Sequence, residues 1–384
     1  MSTVVHSVRL VDGDRIVEDA WVRFADGRVV ETGTGADWQH GADAAASVDA
    51  TALAGPGAIL TPGFIDIHGH GGAGASYDDG PDAIRTARAL HRAHGTTRAV
   101  VSLVTAPLET LERRAAMVAD LVATDADILG SHLEGPFLDL ARKGAHDPSL
   151  LRAPVLTDVE RLLAAGRGTV RQVTLAPELP GGIEAIRAVV AAGAAAAVGH
   201  TSADAAQSRA AFDAGATILT HAFNAMAPLN HRDPGPVGAA ASDHRVTLEI
   251  IADGVHLDPE IVRIAFAAAP GRVALVTDAM AAAGAADGHY ELGSLAVDVT
   301  GGVARLAEGG AIAGSTLTQD AALRLAVQAG VPLADAVAAL STVPARAIGR
   351  GADLGGLAAG TLADAVLLSS ELDVRAVWFS GERV

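Results

Sequence analysis

Two kinds of hydrophobic pattern alternate along most of this 384-residue chain. Short apolar runs rich in Val, Ile, Leu and Ala are separated by Ala-, Arg- and Glu-rich stretches whose apolar residues recur at helical spacing. Such alternation is typical of βα units, which build parallel sheets. Eight runs occur, at 58–67, 96–105, 126–134, 171–178, 194–200, 216–221, 246–253 and 272–278. They predict an α/β fold, a (β/α)8 TIM-like barrel over residues 57–284.

The two ends of the chain carry a different pattern. Residues 1–56 read as short β segments, and the polar turns Asp12-Gly13-Asp14 and Asp26-Gly27 between them predict hairpins. After residue 284 the chain is β-like, then helical, then β-like again. We therefore expect residues 1–56 and 285–384 to form one small, discontinuous flanking β-sandwich domain, which the C-terminal helices join to the barrel.

Residues that commonly bind metals stand at the ends of several apolar runs. Because the carboxyl ends of barrel strands meet at one face, these side chains are expected to converge there. Each one alone could be a hydrogen-bonded core residue or, for the aspartate, a helix cap. Together they favour a metal centre in a hydrolase, since imidazole and carboxylate are common metal ligands. They are His68, His70, Glu134, His200, His221 and Asp278.

Composition narrows the function further. The chain has no cysteine, which excludes disulfides, thiolate metal sites and a cysteine nucleophile. A formal net charge of -17 argues against nucleic acid or an anionic membrane as partner, so an anionic substrate would have to be attracted locally. No apolar run has transmembrane length, and the N-terminal segment lacks the features of a signal peptide. We expect a cytoplasmic protein with 50% hydrophobic residues in a largely aliphatic core.

Loop residues supply further candidates. His256, after the seventh run, is a candidate for polarising a substrate carbonyl, although an ordinary loop histidine is the alternative. Asn224 and Arg232 follow the sixth run, and arginine suits phosphate binding, although surface arginines are common. The glycines of Gly69-x-Gly71-x-x-Gly74 match the fingerprint of dinucleotide-binding sites, but no second strand that ends in an acidic residue follows. We interpret these glycines as positions that let the backbone pass close to a ligand.

Several motifs together resemble the amidohydrolase superfamily and, within it, the N-acetylglucosamine-6-phosphate deacetylase family. The resemblance covers nearly the whole chain, and HLEGPF with LARKGAH and HAFNAM narrows it to the deacetylases. In dihydroorotases, a carboxylated lysine at a strand end bridges two metals. The only lysine of this chain, Lys143, lies in a loop, whereas Glu134 is in place to act as the bridge. The motifs are PGFIDIHGHGG, HLEGPFLDLARKGAH, GHTSAD, THAFNAM, ADGVHLD, VTDAM and AGSTLT.

The resemblance implies hydrolytic deacetylation of N-acetyl-D-glucosamine 6-phosphate to D-glucosamine 6-phosphate and acetate, with one or two divalent metals per subunit. Zinc is the first expectation, and iron, cobalt or manganese are alternatives. A homodimer is implied, in which Arg232 acts in its own or the neighbouring subunit. The resemblance implies that Glu134, His200 and His221 bind the tighter metal, and that His68 and His70, with Glu134 and Asp278, bind a second. It also implies that Asp278 is the general base and acid and that His256 polarises the carbonyl. The implied substrate-binding residues are His146, Asn224, Ala225, Arg232 and His256.

Two alternatives stay open at this point. One is deacetylation of another N-acetyl amino sugar, such as N-acetylgalactosamine 6-phosphate, or of an unphosphorylated N-acyl compound. The other is a non-catalytic scaffold of the dihydropyrimidinase-like kind. Such scaffolds typically lack metal ligands, so the complete ligand set of this chain weighs against that alternative.

Overall fold

The computed structural model describes residues 2–40 and 46–384, so residues 41–45 of the predicted N-terminal β segment lie outside the described part. The first strands form antiparallel hairpins whose apolar side chains, such as Val22 and Phe24, pack in a core with Trp378. This region contains β1 (Ser2–Asp12), β2 (Arg15–Ala25), β3 (Arg28–Thr34), a 3-10 turn (Asp37–His40), β4 (Ala46–Asp49), α1 (Ala50–Ala54) and β5 (Ile59–Pro62).

The chain crosses from this flanking sheet into the barrel at Gly63. The predicted strand 58–67 is therefore split: β5 pairs with β1, and only β6 (Phe64–Asp66) enters the barrel. The backbone N–H of Gly63 donates to the carbonyl of Asp364 at 2.8 Å. A Cβ at this position would collide with the side chain of Thr97 and lie 2.9 Å from the Cβ of Asp364. Glycine thus permits the close approach that the crossing requires.

The predicted barrel is confirmed as a nearly closed sheet of eight parallel strands. Their order is β6-β9-β10-β11-β12-β13-β14-β15, and they are almost entirely buried. At the seam, the N–H of Asp278 donates to the carbonyl of His68 at 2.8 Å. The Gln319 amide donates to the carbonyls of Ile65 and Leu275 at 2.9 and 3.2 Å. The strands are β9 (Thr96–Val104), β10 (Ile128–Glu134), β11 (Val170–Leu175), β12 (Ala195–Val198), β13 (Ile218–Leu219), β14 (Thr247–Ile251) and β15 (Val273–Val276), with a hairpin of β7 (Gly71–Gly72) and β8 (Ala75–Ser76) after β6.

Amphipathic helices cover the outside of the barrel. In one of them, α3, Leu111, Ala115 and Val118 recur every three or four residues and are fully buried. No helix within residues 2–40 and 46–384 is both long and apolar enough to cross a membrane. The helices are α2 (Pro81–Ala93), α3 (Leu108–Val122), α4 (Leu156–Ala165), α5 (Gly182–Ala191), α6 (Ala205–Asp213), α7 (Gly235–Ala241) and α8 (Pro259–Ala268).

The C-terminal third completes both layers. A three-stranded antiparallel sheet follows the barrel, three helices pack near its seam, and the last strands return to the flanking sheet. That sheet has the order β21-β20-β19-β5-β1-β2-β3, with β4 beside β1, so both chain ends build it, as predicted. The exact domain limits stay a prediction. The elements are β16 (Gly288–Leu292), β17 (Leu295–Thr300), β18 (Val303–Leu306), α9 (Gln319–Gln328), α10 (Leu333–Leu340), α11 (Thr342–Ala347), β19 (Ala365–Leu368), β20 (Val374–Phe379) and β21 (Glu382–Arg383).

Candidate metal centre and active site

The six predicted ligand-type residues meet at the carboxyl end of the barrel. Glu134 is the last residue of β10, and the others follow their strands by two to four residues. All six are at most 8% exposed. Three of them, His200, His221 and Asp278, have φ of 47°, 27° and 47°, in the left-handed region. Such backbone costs of order 1–3 kcal/mol at a non-glycine residue, and this kind of strain is concentrated at functional sites.

One group of ligand atoms surrounds a single carboxylate oxygen. The Oε1 atom of Glu134 lies 3.2 Å from Nε2 of His200 and 3.3 Å from Nε2 of His221. The two imidazole Nε2 atoms are 2.9 Å apart. These three side chains come from β10 and from the loops after β12 and β13, so the barrel itself brings them together.

A second group shares Glu134 with the first. His70 Nε2 lies 3.2 Å from Oε2 of Glu134 and 3.2 Å from Oδ1 of Asp278. His68 Nε2 lies 3.4 Å from Glu134 Oε1 and 3.5 Å from Asp278 Oδ1. The hydrogen bond at the seam of the barrel places Asp278 beside the His68-x-His70 segment. Glu134 contacts the possible ligands of both groups.

The hydrogen bonds of two imidazoles show which nitrogen faces the centre. His200 Nδ1 lies 2.9 Å from the carbonyl of Arg142, and His68 Nδ1 lies 3.0 Å from the carboxylate of Glu249. Carbonyl and ionised carboxylate oxygens only accept, so both Nδ1 atoms donate. In a metal-bound state each ring would carry no proton on Nε2, and its lone pair would point toward the centre of the cluster, as in a metal-ligating histidine. The donor set of imidazoles and carboxylates therefore fits a divalent transition metal.

Charges in this cluster depend strongly on one another. Burial opposes the charged form of His70, but the carboxylates of Asp278 and Glu134 outweigh it and raise its pKa to about 9. Burial likewise opposes a charge on His68, and Glu134 and Asp278 raise its pKa well above the usual value. Burial would raise the pKa of Glu134, but the neighbouring His68, His200 and His221 hold it well below its usual range. Without a metal, protons supply the positive charge that these carboxylates require.

A pocket of about 290 Å³ opens over the cluster. Besides five of the six ligand-type residues, it is lined by Asn224, Ala225 and His256, and by Gly144 and His146 from the loop after β10. Gly144 has φ of 53°, and a Cβ there would lie 2.9 Å from Cε1 of His200, so glycine lets this loop rest on the cluster.

His146 approaches the cluster as a neutral ring. Burial lowers its pKa to about 3, with the charge of His200 acting in the same direction. The Thr105 hydroxyl donates to the carbonyl of Glu134 at 3.0 Å and lies 2.9 Å from His146 Nδ1, so it accepts from that nitrogen. His146 Nε2 is 3.7 Å from Glu134 Oε2, so its lone pair is free for a ligand in the pocket.

His256 is held by an acid three residues before it in the chain. Its Nδ1 lies 2.7 Å from Oδ2 of Asp253, while Oδ1 of the same aspartate accepts from the backbone N–H groups of Val255 and His256, each at 2.8 Å. Burial lowers the pKa of His256, but Asp253 outweighs burial and raises it overall. The protonated ring can donate to the pocket from Nε2.

Arg232 is the one predicted site residue that the structure places apart. It is exposed on the loop after β13 and does not line the pocket. His68 also lies outside the lining, but because it is fully buried beneath the cluster. All the other predicted residues line the pocket together.

Sequence reasoning missed the polar residues beneath the cluster. Glu249, in the middle of β14, contacts His68, and Gln172 of β11 donates to Glu249 at 2.7 Å. Asp66 accepts from the Thr277 hydroxyl at 2.5 Å and from the N–H of His68 at 3.2 Å. The available signal was a lone acid inside an apolar run, in TLEII and FIDI, since an unpaired buried acid is costly.

Comparisons with known sequences support a common family. The model of the amidohydrolase family matches residues 59–384. N-acetylgalactosamine-6-phosphate deacetylase of Escherichia coli O157:H7 is 39% identical over 100% of this chain and 99% of its own length. N-acetylglucosamine-6-phosphate deacetylase of Bos taurus is 39% identical over 85% of this chain and 84% of its own length.

Solved structures give the same result. A mutant of N-acetyl-D-glucosamine-6-phosphate deacetylase from Mycobacterium smegmatis, in complex with N-acetyl-D-glucosamine-6-phosphate, matches with a TM-score of 0.93 and 45% identity, covering 100% of this chain and 99% of its own. N-acetylglucosamine-6-phosphate deacetylase from Thermotoga maritima matches with a TM-score of 0.88 and 30% identity, covering 99% of each chain.

Proposed function

Because the chain belongs to the amidohydrolase family and is a hydrolytic enzyme, we propose that it deacetylates N-acetyl-D-glucosamine 6-phosphate to D-glucosamine 6-phosphate and acetate. One observation carries the proposal: six buried imidazole and carboxylate side chains converge under a pocket, in a chain 45% identical to a deacetylase of this substrate. The complete set of ligand-type residues argues against the non-catalytic scaffold.

We assign one or two divalent metals to the cluster, with zinc as the first candidate and iron, cobalt or manganese as alternatives. Glu134, His200 and His221 would hold the tighter ion, and His68 and His70, with Glu134 and Asp278, a second. A bound divalent ion acidifies water and polarises a carbonyl, which makes hydrolysis of an amide feasible at neutral pH.

Asp278 acts as general base and then general acid. Burial would raise its pKa, but the charges of His68 and His70 lower it, so the carboxylate is ionised and can accept a proton. It takes the proton of the attacking water while the water oxygen adds to the acetyl carbon. It then gives that proton to the amide nitrogen as the C–N bond breaks, which releases acetate and the amine.

His256 stabilises the negative charge that develops on the acetyl oxygen. Its Nδ1 is engaged by Asp253, so the protonated ring donates to the pocket through Nε2. Loss of one such donor typically lowers kcat about 10²–10³-fold. Only the protonated form of His256 can donate in this way, because the neutral ring with Nδ1–H has a lone pair on Nε2.

The rest of the pocket would bind the sugar phosphate. His146 contacts sugar hydroxyls, while the Asn224 side chain and the Ala225 backbone meet the phosphate. Arg232 lies away from its own pocket, so we place it at the phosphate of the neighbouring subunit in a homodimer. Its positive charge would attract the substrate locally, against a net charge of -17. A cytoplasmic location remains a prediction from the cysteine-free sequence.

A second substrate has a specific observation in its favour. The Escherichia coli relative, which is similar over the full length of this chain, is an N-acetylgalactosamine-6-phosphate deacetylase. The two sugars differ only at one hydroxyl, so a few loop contacts decide between them. Most of the similar relatives act on the glucosamine derivative by name, which is why we rank that substrate first.

Acetate release distinguishes these substrates. The metal-loaded protein would be assayed side by side with N-acetylglucosamine 6-phosphate, N-acetylgalactosamine 6-phosphate and unphosphorylated N-acetylglucosamine. We expect the first to be hydrolysed fastest and the unphosphorylated sugar slowest. Faster release from the galactosamine derivative would select the second substrate. Release from none of them would reject the proposed reaction.

The phosphate assignment has its own test. Arg232→Ala should raise KM for the phosphorylated sugar and leave the slow hydrolysis of the unphosphorylated sugar unchanged. The exposed Arg209, on the outside of the barrel in α6, is a matched control for loss of a surface charge. An equal effect of Arg232→Ala on both sugars would contradict the assignment.

A further inference from the structure

A carboxylate is buried in the barrel interior directly beneath the ligand cluster. Glu249, the third residue of β14, is 0% exposed. Its Oε2 lies 3.0 Å from Nδ1 of His68 and accepts from the backbone N–H of His221 at 3.3 Å. Its Oε1 accepts from the amide of Gln172 at 2.7 Å. A buried carboxylate is costly unless its contacts compensate it, so this position calls for a positive charge nearby.

The two ligand sets are held in different ways. In one set, His200 donates from Nδ1 to a peptide carbonyl, that of Arg142. In the other, His68 donates to the carboxylate of Glu249, whereas His70 Nδ1 has no hydrogen-bond partner among the described residues. Among the described residues, Glu249 is therefore the one side chain that fixes an imidazole ring of the His68–His70 pair through its outer nitrogen. A carboxylate in this role also makes the ring a stronger ligand.

We infer that Glu249 is a positioning residue of the metal centre. By holding His68 with its Nε2 lone pair toward Glu134, it sets how tightly His68, His70 and Asp278 bind their metal. The inference rests on the proposed function, because it assumes a metal at this cluster. It adds a residue that is outside the ligand set and does not face the pocket.

The structure offers a variant that removes the charge and keeps the shape. In Glu249→Gln, the amide oxygen can still accept from His68 and from the N–H of His221. The new amide nitrogen would face Gln172, whose own Oε1 has no hydrogen-bond partner in the described part of the chain and can turn to accept from it. The variant thus isolates the effect of the charge.

The experiment is a zinc titration of the metal-free protein, with bound zinc measured by equilibrium dialysis and elemental analysis. In Glu249→Gln we expect the second equivalent of zinc to bind about 10–100-fold more weakly, and the first to change much less. In a double variant that carries both Glu249→Gln and His68→Gln, the loss of zinc affinity should be close to that of His68→Gln alone, because both changes act on one ligand. Glu178→Gln is the control, since this carboxylate lies at the same end of the barrel and accepts from Thr201 and Ser202.

The outcomes separate the two proposals. A wild-type protein that binds no zinc would overturn the proposed metal centre itself. A wild-type protein with two equivalents and a Glu249→Gln variant with the same two affinities would overturn only the role of Glu249. The role of Glu249 would also be overturned if the losses of zinc affinity were additive in the double variant. It would likewise be overturned if the wild type bound one equivalent of zinc and neither variant changed its affinity.

A measurement on the unaltered protein covers the case in which the variant does not fold. In zinc-loaded protein with ¹⁵N-labelled histidine, long-range ¹H–¹⁵N spectra report which nitrogen of each ring carries the proton. We expect His68 to be protonated at Nδ1. A proton on Nε2 of His68 in the metal-loaded protein would overturn the inference.

Discussion

The two ends of the barrel satisfy their buried charges in opposite ways. At the amino end, Arg98 of β9 pairs with Asp364 at 2.5 Å and donates to the carbonyl of Ala126, also at 2.5 Å. Asp127, just before β10, is within 3.3 Å of Arg88 and 2.6 Å of Arg92. The buried acids there have arginine partners that are always charged.

At the carboxyl end, the carboxylates of Glu134 and Asp278 contact imidazoles, whose charge depends on protonation. Two pairs of Nε2 atoms, His68 with His70 and His200 with His221, lie 3.3 and 2.9 Å apart. The amino end is therefore neutralised by arginines of the protein itself, whereas the carboxyl end presents imidazole and carboxylate groups that could hold a metal. The first end stabilises the fold, and in the proposed reaction the second carries the chemistry.

The largest expected effect is on turnover at the carboxyl end. In the proposed mechanism, Asp278→Asn removes the proton acceptor but keeps the size of the side chain, so kcat should fall about 10²–10⁴-fold. The measurement is acetate release, with metal content determined on the same sample. We expect the tighter metal to stay bound, because the ion pairs of Asp278 are with His68 and His70. Near-normal turnover in the variant would refute the role of Asp278.

At the amino end, the corresponding change should act on stability alone. Arg98→Met leaves Asp364 buried without its partner, and breaking a buried pair in this way costs about 3–5 kcal/mol of unfolding free energy. Urea unfolding measures the loss, and kcat and metal content of the folded protein should match those of the wild type. Either a loss below about 1 kcal/mol or a changed metal content would contradict the division between the two ends.

Removal of metal should produce a smaller change in stability. A ligand that binds only the folded state adds about 2.7 kcal/mol at a free concentration 100 times its Kd. Thermal unfolding with and without zinc should show this increment in the wild type and, undiminished, in Arg98→Met. His200→Gln should reduce it, since it alters the tighter set. An increment that disappears in Arg98→Met would show that the two ends are coupled.

Much of this division could be predicted from the sequence. The ligand positions were visible because each apolar run stops where a polar side chain enters the barrel mouth, as at His221 and Asp278. The crossing at Gly63 was not visible, because Thr97 and Asp364 impose it from distant parts of the chain. The place of Glu249 beneath the cluster cannot be predicted from the sequence, because its partners come from three other strands or loops. The surroundings of Arg232 depend on surfaces that a single chain does not determine.

The smallest expected effect concerns the pH profile, which should shift without a large change in its maximum. Asp253 raises the pKa of His256 above its usual value, against the opposing effect of burial. In the proposed mechanism the protonated ring donates to the acetyl oxygen, so kcat/KM should be at its maximum at low pH and decline as pH rises through that raised pKa. Asp253→Asn removes the charge and should move the decline to lower pH.

A profile of acetate release against pH, measured for both proteins with saturating metal, tests this shift. The control is Asp258→Asn, which alters the acid at the N-terminus of α8, where it accepts from the backbone N–H of Glu260. An equal shift in the control would assign the effect to the general field of the loop. If the decline of kcat/KM occurred at the same pH in Asp253→Asn, His256 would not need its proton for activity. The proposed hydrogen bond from His256 to the substrate would then be wrong.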